Sequence, residues 1–105
     1  MPGQMPLCET FIDSHCHVSG PEFDLDRDAV LARARAAGVT QFVVIGASDG
    51  LLANEAALCL ANLRDDCVAT VGLHPHDASL CNDAALATLR EMAAHPKVVA
   101  IGETG

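Results

Sequence analysis

Four short apolar runs recur along the chain at nearly constant spacing, and this recurrence narrows the available folds more than any other feature. Thr10-Phe11-Ile12 leads into Asp13–His17, and Gln41–Gly46, Val68–Leu73 and Val98–Gly102 follow. Each is β-branched or otherwise apolar nearly throughout, the pattern of strands buried on both faces of a parallel sheet. The starts fall near residues 11, 41, 68 and 98, which gives steps of 30, 27 and 30 residues. A step of that length leaves room for a crossover helix between one strand and the next.

The intervening stretches carry helical spacing. Asp26–Ala37 sets Val30, Leu31, Ala34 and Ala37 on one face, and Gly38 stops it. Leu51–Leu63 aligns Leu52, Ala56, Cys59, Leu60 and Leu63 as an inward stripe, with Ser48 or Asp49 as its cap. Asp83–Ala94 turns Leu86, Leu89 and Met92 or Ala93 inward, capped by Asn82 and ended by Pro96. The order is therefore βαβαβαβ, a parallel sheet with right-handed crossovers. It is either an open doubly wound sheet or part of a (β/α)8 barrel. Eight such units come to roughly 240 residues, close to a typical barrel of about 250, so four strands are half of one. The expected division is a lead-in over residues 1–9 and a partial barrel over 10–105, cut after its fourth strand.

Half of the 105 residues are hydrophobic, which excludes a disordered chain. Six basic against fourteen acidic residues leave a formal charge of −8, which argues against nucleic-acid binding through a basic face. A metal site is not excluded, because bound cations supply the positive charge that meets a phosphate. Five cysteines (Cys8, Cys16, Cys59, Cys67 and Cys81) form no C-x-x-C pair, and three of them fall inside apolar elements. Reduced, buried thiols in a cytoplasmic protein are expected rather than a disulfide framework. Met1–Thr10 lacks a basic segment and a long apolar run, so no signal peptide is read there.

Ligand-type side chains gather where the strands end. His15 and His17 close the first run, Ser48 and Asp49 follow the second, His74, His76 and Asp77 the third, and Glu103 the fourth. In parallel α/β folds these ends lie on one face, where sites are built. Alternation points His15 and His17 the same way and Cys16 the other, so the two imidazoles suit one metal ion. Read alone, the pair is more simply two hydrogen-bonded histidines at a strand end. Asp13 shares their face and is placed to orient one imidazole; its plainer reading is a loop or cap carboxylate. Glu103 is costly to bury without a positive partner, and a carboxylate can bridge two ions. It also reads as a solvated terminal carboxylate. His74 and His76 flank Pro75 over the same mouth, as metal ligands, phosphate contacts or simply a turn. His95, at a helix end, takes no role. A nucleotide-binding open sheet would need a glycine-rich turn after its first strand, and His15-Cys16-His17-Val18-Ser19-Gly20 stands there instead.

F-I-D-S-H-C-H, G-L-H-P-H-D and V-V-A-I-G-E-T-G occur in order, and at this spacing the chain resembles the TatD family of metal-dependent hydrolases after its first nine residues. That resemblance implies a (β/α)8 barrel with two divalent ions (magnesium, manganese or zinc) and phosphodiester hydrolysis of the deoxyribonuclease type, with DNA as partner. By matching motifs it implies His15 and His17 as ligands of one ion and Glu103 as the carboxylate shared by both. His74 and His76 match a loop beside the site. Family members continue past this glutamate with two more histidine ligands and an aspartate that serves the attacking water. No residue here matches that base. The alternative is a non-catalytic half-barrel that binds metal weakly or acts as an interaction module, associating through open sheet edges.

Overall fold

The computed structural model describes residues 9–104. Residues 1–8, which hold most of the expected lead-in and Cys8, and Gly105 lie outside the described residues. The strands are β1 (Phe11–Cys16), β2 (Val39–Ile45), β3 (Cys67–Val71) and β4 (Val98–Ile101). The helices are α1 (Arg27–Ala36), α2 (Gly50–Leu63) and α3 (Asp83–Ala93), joined by two 3₁₀ segments, Pro21–Phe23 and Pro75–Leu80. All neighbouring strands pair parallel in the order β1-β2-β3-β4. The chain thus has the α/β fold expected, with each crossover leading to the adjacent strand.

The core lies where α1 and α2 cover the sheet. Phe42 and Val44 of β2 and Cys67 and Ala69 of β3 pack with Leu31, Ala57, Leu60 and Ala61. Each large apolar side chain removed from water there stabilises the fold by about 1.5–3 kcal/mol. Only β2 and β3 are buried as the apolar runs led one to expect. The edge strands β1 and β4 expose Phe11, Ile12, Val99 and Ile101.

Two further expectations need correction. Along α2 the buried residues are Asn54, Ala57, Leu60 and Ala61, while Leu52, Ala56, Cys59 and Leu63 face outward. The helix is apolar nearly all round, so periodicity did not single out the inner face; Leu60 alone of the expected stripe is inside. Neither Ser48 nor Asp49 caps α2 through its side chain. The Gly50 N–H instead donates to Asp77 Oδ2 at 3.2 Å, from the loop after β3. Of the expected buried thiols, Cys67 is buried and Cys16 half-buried, but Cys59 is exposed. In α3, Ala85 is buried and Leu86 largely exposed. Its cap is as expected: Asn82 Oδ1 accepts from Ala85 N–H at 2.8 Å. Gly38 ends α1 at φ 108°, a left-handed conformation that side chains disfavour.

Below the sheet, at the strand N-termini, Asp66 ties three elements together. Arg64 grips it with two parallel bonds of 2.9 Å, and Arg35 at the end of α1 adds a third at 3.1 Å. Charge-assisted bonding from Arg64 is the main reason the Asp66 carboxyl sits at about 2. Burial pushes the neighbouring Cys67 thiol up to about 12, so it stays protonated. Among the described residues no helix is long and apolar enough to cross a membrane.

Candidate metal centre

At the opposite end of the sheet the first and last strands bring their polar residues together. Between Asp13 and Cys16 the β1–β2 register shifts, so three steps on β1 meet two on β2. Such irregularities re-aim side chains beside sites. The His15 N–H freed there is taken by Asp13 Oδ1 at 3.1 Å. Asp13 thus holds backbone, and its bond is not to the imidazole it was expected to orient. Cys16 turns the other way, its Sγ donating to the Val43 carbonyl at 3.5 Å. The His15 and His17 rings lie edge to face, centroids 5.1 Å apart.

Glu103 comes to meet them from beyond β4. Its Oε2 is 3.2 Å from His15 Nε2 and 3.9 Å from His17 Nε2. One donor atom from each of the three lies within 4.8 Å of the others. Donors bound at about 2.0–2.2 Å to one ion stand roughly 3–3.5 Å from each other, so only small adjustments separate this arrangement from a ligand set. Two neutral imidazoles and a carboxylate are also the donor chemistry that divalent zinc or manganese accepts.

His74 stands on the far side of the carboxylate. Its Nδ1 accepts the His76 N–H at 3.1 Å, which leaves the proton of the neutral ring on Nε2. That nitrogen faces Glu103 Oε1 at 3.8 Å. His74 therefore flanks the carboxylate on its Oε1 side without bonding to it, while Glu103 Oε2 faces His15 and His17. His76 is exposed, and its ring lies against His74, centroids 4.5 Å apart; it is not brought to the donor group.

Two residues that the sequence reading passed over fix this geometry from beneath. Thr70, buried in β3, donates its hydroxyl to the Gly102 carbonyl at 3.0 Å, one residue before Glu103. The Gly102 N–H reaches the Val71 carbonyl at 2.9 Å, so the approach to Glu103 is held on both sides. Asn54, fully buried in α2, donates to the Gly50 and Gly72 carbonyls at 2.9 and 2.8 Å and accepts the Gly72 N–H at 2.8 Å. It clamps the backbone two residues before His74. Gly46 admits this packing, since a Cβ there would stand 2.4 Å from the Thr70 carbonyl and 2.6 Å from Asn54 Oδ1. Thr70 is the one hydroxyl residue in an otherwise apolar strand, a signal the sequence offered, whereas Asn54 shares α2 with Glu55 and Asn62 and carried no such mark.

The family described as TatD related DNase matches residues 12–105. The chain belongs to the TatD family. The 3'-5' ssDNA/RNA exonuclease TatD of Cronobacter sakazakii is 45% identical over 93 residues, covering 89% of this chain and 35% of the relative. The exonuclease of the same name from Musicola paradisiaca is 44% identical over 94 residues with the same coverage. The crystal structure of the TatD homolog YjjV from Escherichia coli K12 superposes with a TM-score of 0.79 at 34% identity, covering 92% of this chain and 38% of that one. The chain thus spans about a third of the length of the TatD relatives it matches.

Proposed function

We propose that this TatD chain supplies the first part of a divalent-metal phosphodiesterase, the first half of a (β/α)8 barrel acting on single-stranded DNA or RNA. The observation that carries this reading is the convergence of His15, His17 and Glu103, from opposite edges of the sheet, into one group of donor atoms. The names of the relatives support the substrate class. His15 and His17 would hold one ion, Glu103 would be shared with a second, and His74 would flank the carboxylate. A divalent ion there supplies Lewis-acid charge neutralisation for a phosphodiester, which an acidic protein otherwise lacks. No side chain among the described residues is placed as a general base. Turnover therefore belongs to the complete protein, and the 105-residue chain alone is expected to bind metal without digesting DNA. The reading also places the protein in the cytoplasm, supported by free thiols at Cys16, Cys59, Cys67 and Cys81.

Calorimetric titration of the 105-residue chain with zinc or manganese tests the ligand assignment. His15→Ala and Glu103→Ala should each weaken binding at least ten-fold, as loss of a ligand does. Equal binding by all three proteins would remove the assignment. A non-catalytic role is favoured only if the pure chain and its intact parent both bind metal and neither shows chelator-sensitive hydrolysis of single-stranded DNA.

A further inference from the structure

Beside the donor group lies a cleft of about 910 Å³, between the 3₁₀ segment Pro21–Phe23 and the first turns of α2. His17 belongs to both, and His74 lines the cleft beside Glu103, so a ligand anchored at the donors has the cleft as its continuation. One wall is apolar: Leu52, Ala53 and Ala56 come from the outward face of α2, with Leu52 78% exposed. Glu22 and Asp24 come from the 3₁₀ side and Asp49 from the start of α2, and the lining holds no lysine or arginine. The nearby Arg27 is committed elsewhere, its guanidinium bonded to the Val18 and Gly20 carbonyls and to Asp24.

This composition separates the parts of a nucleotide. A phosphate placed in the cleft would face carboxylates with no cation to answer it. A base offers a flat apolar face to Leu52 and Ala56 and N–H edges to the carboxylates, which only accept hydrogen bonds. We propose that the cleft is the subsite for the base and sugar of the nucleotide whose phosphate is held at the donor group. This rests on the metal-phosphodiesterase reading. It also gives the outward stripe of α2 a use that core packing does not.

The test uses the 105-residue chain with zinc and compares dGMP, 2-deoxyribose 5-phosphate (which lacks the base) and inorganic phosphate by calorimetry. dGMP should bind about ten-fold tighter than the baseless phosphate, the scale expected from burying one face of a base against aliphatic side chains at about 25 cal/mol per Å². Leu52→Asn, at a solvent-facing position, should cut that advantage to about two-fold and leave phosphate affinity unchanged. Equal affinities for dGMP and the baseless phosphate, or a variant that keeps the full advantage, would overturn the subsite while leaving the metal reading intact. A chain that binds no zinc would remove the metal reading first and the subsite with it.

Discussion

Thr70 and Asn54 are where single side chains carry the most consequence. Thr70→Val keeps the shape of the side chain but leaves the Gly102 carbonyl without its 3.0 Å partner, immediately before Glu103. Zinc affinity should fall about ten-fold, the usual scale for losing an outer support, and Thr70→Ser should restore it. A valine variant with unchanged affinity and an unchanged circular dichroism spectrum would show that the carboxylate is held by other means. Asn54→Ala strips three hydrogen bonds at once, two of them buried, and should cost about 2–4 kcal/mol in urea unfolding. The donor residues themselves were legible in the chain, because H-x-H and a lone acid after an apolar run stand out in any reading. Their supports were not, since a threonine in Cys67–Val71 or an asparagine in a leucine-rich helix declares its partner only once three strands and a helix are assembled.

Strands and helices were readable to within a residue or two, because a repeat of strand and helix leaves little freedom. The facing of α2 was not: with apolar residues on two sides, the choice was made by Asn54, whose amide must be buried against Gly50 and Gly72. The 3₁₀ segments escaped as well, since local turns of this kind have no periodicity to detect. At the foot of the sheet, the Asp66 junction makes a prediction of its own. Its carboxyl is held at about 2, below an unperturbed value of 3.8, chiefly by the Arg64 guanidinium. A depressed folded-state value means that the stabilisation is fully present above roughly pH 4 and is lost as pH falls toward about 2. Wild type should therefore be more stable than Asp66→Asn near neutrality, with the gap narrowing through that acid window. A gap in urea midpoint that stays constant from about pH 6 to about pH 2.5 would show that the arginine pairing contributes nothing.

Across the whole molecule, the order β1-β2-β3-β4 leaves two open edges among the described strands, each beside exposed apolar side chains. Unpaired edges recruit further strands, so the 105-residue chain should self-associate, and sedimentation showing a compact monomer at micromolar concentration would refute this. The same order has a consequence for timing. In a flat sheet β1 and β4 would stand roughly 14 Å apart, three strand spacings, yet His15 and Glu103 approach to 3.2 Å. The two histidines leave the ribosome first, and Glu103 only after β4 has been made. Until β4 is made, a nascent chain therefore holds an H-x-H pair with no carboxylate beside it. On the proposed ligand set, metal acquisition then waits on closure of the sheet rather than on the ion's supply.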